Sequence, residues 1–398
     1  MVLEETDRLL LCGHCRVKLY LSGNRFLSYL LPPSVEGSNE VFYAPYWRVK
    51  GILFSCAGQE LAHRVVDASV QAGELKGLPV SLGYRPQALR LRFVLAVTPG
   101  RFLPTTLRLE TVRAVAQGGL AMVESDMLPV AAPYHAFLGE TVSIIHAPLF
   151  LQGNTVVDAV LDRPVCRLDA VGLKILESAT PAPDDGLRFI ATLCPHCGWD
   201  LQADPDSHVL LCANCHSAWQ AGPAALERIA FEIVPGGVAD CIYLPFWRIK
   251  VSMEGIALAS YADLVRLANL PKAIQAAWEE QDIYLWSPAF KIRPRAFMQT
   301  ARAMTLVQPR AVIEDALPKG KIYPVTFPRS EAVEAIKIIV AHIAVAKSRV
   351  FPLLSGIRLG SPEFVLTYVP FVIHPNELIQ EQMHFSIDRS TVQFGRRL

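Results

Sequence analysis

Tyr43-Ala44-Pro45-Tyr46-Trp47-Arg48-Val49-Lys50 returns two hundred residues later as Tyr243-Leu244-Pro245-Phe246-Trp247-Arg248-Ile249-Lys250. Tyr, Pro, Trp, Arg and Lys coincide position for position. The register also runs backwards without a gap, setting Leu10-Leu11-Cys12-Gly13-His14-Cys15 opposite Leu210-Leu211-Cys212-Ala213-Asn214-Cys215. A slip of one residue in a strand sends every side chain to the opposite face. An ungapped match of about forty residues therefore predicts two copies of one domain, each led by a Cys-x-x-Cys knuckle. The ends of the copies echo one another as well: Ile145-His146-Ala147-Pro148-Leu149-Phe150 mirrors Thr367-Tyr368-Val369-Pro370-Phe371-Val372.

Around these anchors the pattern predicts an α+β fold, a tandem duplication of a β-rich domain with packed helices. Val41 to Cys56 is aromatic and β-branched, as strands are. Pro45 within it calls for an edge or a bulge, because proline cannot donate to a ladder. Val142–Phe150 and Thr155–Leu161 read as paired strands around Gly153-Asn154. Helices are expected at 105–117, 260–279, 294–306 and 330–347, the last apolar nearly all round and so buried. Ala179-Thr180-Pro181-Ala182-Pro183-Asp184-Asp185-Gly186 has linker composition. The domains expected are a first repeat with a half knuckle at 1–178, a linker at 179–189, a ribbon at 190–222 and a second repeat at 223–398.

Cys194-Pro195-His196-Cys197-Gly198 and Cys212-Ala213-Asn214-Cys215 are fourteen residues apart. Four thiolates on two short turns supply a tetrahedral set for Zn2+, and a closed set of this kind is structural, not catalytic. The segment resembles the zinc-ribbon (rubredoxin-like knuckle) family, which implies metal binding over about thirty residues and no particular activity. The whole chain is similar to uncharacterised bacterial proteins that join a zinc ribbon to Tyr-x-Pro-Phe-Trp-Arg strands. Cys212-Ala213-Asn214-Cys215-His216 also spells the c-type haem motif, but pairing with Cys194 and Cys197 accounts for the same residues. The first copy has only Cys12 and Cys15. Three readings stand open for them: a free dithiol, a second metal site shared with another chain or with Cys56, and a redox pair beside Arg16 and Lys18.

Composition narrows the function. The net charge is +1 and only 19% of residues are charged, which gives no footprint for nucleic acid. Between Thr192 and Gln220 there is no Lys or Arg, while Asp200, Asp204 and Asp206 would repel phosphate. Apolar residues make up 52%, a surplus that points to interfaces between chains. Trp199 and Trp219 are candidate anchors for a protein partner. The most apolar window, Ala335 to Ala346, is too short to span a membrane. The acidic N-terminus lacks the look of a signal peptide, and nine cysteines suit a reducing compartment, so a cytoplasmic site is expected. Arg48 or Arg248 with Trp47, Trp247 and Tyr243 would form a ligand or partner surface if exposed, and a structural cation–π contact if buried. Histidines His146, His342 and His374 lie in apolar runs and read as satisfied core groups. No nucleophile elbow, phosphate loop, dinucleotide fingerprint or zincin helix occurs. The expected function is a non-catalytic zinc-ribbon scaffold or adaptor joining protein partners or its own copies. An enzyme with a site between the repeats, using Trp247, Arg248 and a histidine, and a peripheral membrane protein are the alternatives.

Overall fold

Each aromatic stretch becomes the central strand of its own sheet. The computed structural model describes residues 7–11, 17–22, 26–34, 40–108, 112, 134–183, 187–222, 225–236, 240–313 and 316–395. Cys12 and Cys15 lie outside these residues, as do eight of the thirteen residues of the helix expected at 105–117, of which 105–108 are not helical. The strands of the first half are β1 (Leu9–Leu11), β2 (Lys18–Ser22), β3 (Leu27–Leu30), β4 (Phe42–Ala57), β5 (Glu60–Gln71), β6 (Arg92–Phe93), β7 (Arg101–Phe102), β8 (Tyr134–Gln152), β9 (Thr155–Asp158), β10 (Arg163–Arg167) and β11 (Arg188–Ala191). The second half adds β12 (Val209–Cys212), β13 (Ser217–Ala221), β14 (Leu226–Ile229), β15 (Phe231–Ile233), β16 (Cys241–Lys250), β17 (Met253–Glu254), β18 (Leu285–Pro288), β19 (Val312–Ile313) and β20 (Lys321–Ile322). It closes with β21 (Arg358–Leu359), β22 (Glu363–Ile373), β23 (Glu377–Gln380) and β24 (Phe385–Asp388). The described α-helices are α1 (Arg85–Ala88), α2 (Ala170–Glu177), α3 (Tyr261–Leu267), α4 (Pro294–Val307), α5 (Arg329–Ile343), α6 (Lys347–Val350) and α7 (Arg389–Gly395).

The two eight-stranded sheets are built alike. β4 pairs antiparallel with β8 on one side and, on the other, first with β7 and then with β5. β16 pairs in the same way with β22, then with β20 and β18. β3 runs parallel to β8 as β15 does to β22, and β9–β10 and β23–β24 form the matching outer hairpins.

This arrangement corrects the expectation for proline. Pro45 and Pro245 lie in central strands, at neither an edge nor a bulge. Pro45 faces His146, and the carbonyls of both point outward, accepting from Ala72 and Leu31 N–H. The proline nitrogen therefore also faces outward, into the gap where β7 ends and β5 begins, so no ladder bond is lost. Pro245 repeats the geometry opposite Tyr368, with Ala289 and Val234 as the donors.

The α+β expectation does not hold. Strand accounts for 40% of the structure and helix for 19%, as two curled half-barrel sheets with few helices: a β-rich fold. Part of the reason is local. The helix expected over 260–279 begins with a Ser260/Asp263 capping box and stops at Leu267. Asn269 then takes a left-handed φ of 46° and Pro271 forbids continuation. The other part is the length of the first sheet's strands. β4 has 16 residues against 10 in β16, and β8 has 19 against 11 in β22.

That extra length joins the halves. The sheets correspond up to Lys50 and Lys250. Beyond Lys50 the β4–β8 pairing slips by one residue, so that Lys50 faces Thr141 and Gly51 faces Gly139. The bulge bends the pair, and its far end carries Phe54, Cys56, Ala136 and Leu138 into the core of the second half. There α5 is buried through Ala332, Ala335, Ile336, Ile339 and Val340, packed against β8 and β18. Lys337 of α5 lies over the Tyr134 ring at 5.6 Å.

Candidate metal centre

β12 and β13 form a hairpin whose turn carries Cys212 and Cys215, and the turn at 195–197 places Cys194 and Cys197 across from them. In the first turn the Gly198 N–H donates to the Cys194 carbonyl at 2.8 Å, with Gly198 at φ 75°. His216 occupies the equivalent left-handed position of the second turn, φ 49°. All four Sγ atoms lie within 4.8 Å of one another. Cys194–Cys215 is 3.6 Å and Cys197–Cys212 is 3.5 Å, too long for disulfides. Zn–S bonds of about 2.3 Å give a tetrahedron with edges of about 3.8 Å, so the set matches a four-thiolate metal site closely.

The surroundings favour thiolate at Cys194 and Cys197. Burial pushes the Cys194 thiol up, but the N–H groups of Cys197 and His196 and the Ser217 hydroxyl bring it down to about 6. The Asn214 side chain and the Trp199 N–H lower Cys197. Burial dominates at Cys212 and pushes its thiol up to about 12. Four facing thiols cannot all ionise alone; a dication among them removes that conflict. Ser217, which sequence reasoning missed, is buried 3.0 Å from Cys215 Sγ and accepts from Trp219 Nε1 at 2.7 Å. Its own proton is thus turned toward the sulfurs, in the manner of groups that orient metal ligands. The only signal was its place two residues after Cys215.

His216 Nδ1 accepts from the Leu317 N–H at 3.3 Å, and Cys212 and Cys215 face the other knuckle, which sets the haem reading aside. The β1–β2 hairpin has the register of β12–β13 shifted by two hundred: Leu10 pairs with Leu19 as Leu210 does with Trp219. It docks on the ribbon through Leu9 N–H to the Pro205 carbonyl, and Tyr20 joins Cys194, Leu210, Cys212 and Trp219 in one small core. β11, which straddles the expected boundary between linker and ribbon, completes its sheet by pairing with β2. The two ribbon tryptophans part ways: Trp219 is 7% exposed and packs this core, whereas Trp199 is 59% exposed.

The repeated Tyr, Trp and Arg residues are buried, except that Arg248 is half-buried. Trp47 Nε1 donates to the Leu107 carbonyl at 2.7 Å and Trp247 Nε1 to that of Phe327 at 2.9 Å. Arg48 pairs with Asp67 at 2.7 Å. Arg248 pairs with Glu232 at 2.6 Å and lies over the Tyr284 ring at 4.1 Å. Tyr43 stacks on Phe102, and Tyr243 lies in the second core. Among the described residues no helix is long and apolar enough to cross a membrane.

His146 departs from the expectation of a satisfied core histidine. It is 3% exposed, edge-on to Phe102, and neither ring nitrogen has a hydrogen-bond partner. Burial lowers its pKa to about 3. Free histidine protonates near 6.5, so between those values the unfolded chain binds a proton that the folded chain excludes. Stability is therefore full above pH 6.5 and falls as pH drops toward 3, by at most about 1.4 kcal/mol per pH unit. Acidification to pH 4.5 should cost about 2–3 kcal/mol through His146, and His146→Phe should remove that share of the loss. Chemical denaturation at pH 7 and pH 4.5 checks it; an unchanged pH dependence in the variant would refute the assignment.

Comparison with known proteins adds no relative: no family model matches the chain, and no curated protein or solved structure matches it significantly.

Proposed function

We propose that this chain is a non-catalytic scaffold or adaptor whose four cysteines hold one structural zinc and whose ribbon docks a protein partner. One observation carries the reading. The thiol set is complete without a substrate position, and beside it the knuckle exposes Trp199 together with Leu193, which is 48% exposed. Aromatic side chains next to a rigid, metal-fixed turn are what interfaces use as anchors, since they bring large area with few rotamers to lose. The ribbon's aspartates and its lack of Lys and Arg favour a protein over nucleic acid as partner. Free thiols and thiolate metal binding suit a reducing, cytoplasmic setting.

The test is purification from the native host of wild-type chain and of Trp199→Ser/Leu193→Ser. A stoichiometric protein should accompany the wild type and be lost from the variant, with zinc content unchanged. The same companions in both, or none in either, would defeat the proposal.

A further inference from the structure

β11 is an open sheet edge. Its sheet has the order β1-β2-β11, so the strand is paired on one side only. The Thr192 N–H donates to the Lys18 carbonyl, continuing the register of β11 against β2. Backbone groups alternate between the two sides of an antiparallel strand. Those of Arg188, Ile190 and Thr192 therefore turn toward β2, and those of Phe189, Ala191 and Leu193 turn outward. Past the end of β2, Thr192 and Cys194 bond Leu201 and Trp199 on the inner side. Among the described residues, the outward N–H and C=O groups of Phe189, Ala191 and Leu193 have no partner.

The side chains follow the same alternation. Phe189 is 47% and Leu193 48% exposed, with exposed Ala191 between them, whereas Ile190 is half-buried and Thr192 and Cys194 are buried. Charges or proline blunt other edges: β10 carries Arg163, Pro164 and Arg167, and β14 has Glu227 and Arg228 at its centre. The outward positions of β11 carry neither. Such an edge accepts an added strand, and its pattern says which. Turned end for end about Ala191, the order large, small, large matches itself. Phe189 then meets the partner's Leu193, and Ala191 meets the partner's Ala191. The opposed outward residues supply about six backbone hydrogen bonds, and each opposed pair is apolar. We propose that two copies of the chain join through β11, antiparallel about a twofold axis at Ala191, into one continuous sheet. The contact is small and therefore weak and reversible. Edge pairing leaves the strand's faces uncovered, so Leu193 and Trp199 stay available to the partner proposed above, and neither inference rests on the other.

Sedimentation equilibrium of the purified full chain at about 5–200 µM tests this. The average mass should rise with concentration from 43.9 kDa toward twice that value. Ala191→Lys and Ala191→Glu should each weaken self-association at least about tenfold, because the axis sets two like charges face to face. Ala191 is exposed and outside the ribbon's core, so neither change disturbs folding. An equimolar mixture of the two variants should regain association, since Lys then opposes Glu. A wild-type chain that stays monomeric throughout, variants that associate as the wild type does, or a mixture that associates no better than its parts would overturn the proposal.

Discussion

Trp247→Ala should destabilise the protein by about 3–5 kcal/mol, the range for truncating a fully buried aromatic side chain. Trp247 is 1% exposed, lies edge-on to Phe364 at 6.2 Å, and has the Arg329 guanidinium over its ring at 5.2 Å. Truncation opens a cavity beneath β22 and leaves the Phe327 carbonyl without its donor, adding about 1 kcal/mol. Trp47→Ala should have a comparable effect, since the same indole-to-carbonyl bond reaches Leu107. Urea denaturation at neutral pH checks both, and a loss below about 1 kcal/mol in either would mean that the side chain is not buried as described.

Cys212→Ser should release the metal and melt the ribbon. The apolar residues around it, Leu201, Leu210, Trp219 and Tyr20, form a core of only a few side chains. Such a core is too small to fold unaided, and structural zinc contributes on the order of 10 kcal/mol to small metal domains. Because Tyr20 belongs to that core, the β1–β2 hairpin should loosen with it. The cores of the two large sheets lie mainly outside the ribbon, which reaches the second through Val209 and Ala218, and should persist. Limited proteolysis should therefore cut within 190–222 in the variant and not in the wild type. Equal protease resistance with full zinc retention would refute the four-ligand assignment.

Much of this was legible in the sequence, for identifiable reasons. The offset of two hundred residues aligned both central strands, because Trp, Pro and Arg leave no freedom of register. The helix at 294–307 fell within one residue of its expected bounds, and that at 329–343 began within one residue of its pattern but ended four residues short of 347. The thiol set was readable because knuckle spacing encodes a local turn. Three things were not. The balance of strand over helix was misjudged because the window 260–279 is apolar enough for a helix yet broken at Asn269 and Pro271. Pro45 was placed at an edge because a change of neighbouring strand in mid-sheet leaves no local mark. The bulge of the first sheet lies where Gly51 meets Gly139, and no one-dimensional pattern joins residues so far apart.

The central claim is that Cys194, Cys197, Cys212 and Cys215 together bind one zinc ion. Metal analysis of the purified chain, followed by cobalt substitution, tests it most directly. The account predicts about one zinc per chain and an intense visible spectrum of tetrahedral four-sulfur cobalt, lost in Cys212→Ser. Less than about half a zinc per chain, or a cobalt spectrum with nitrogen or oxygen ligands and six-fold coordination, would contradict it.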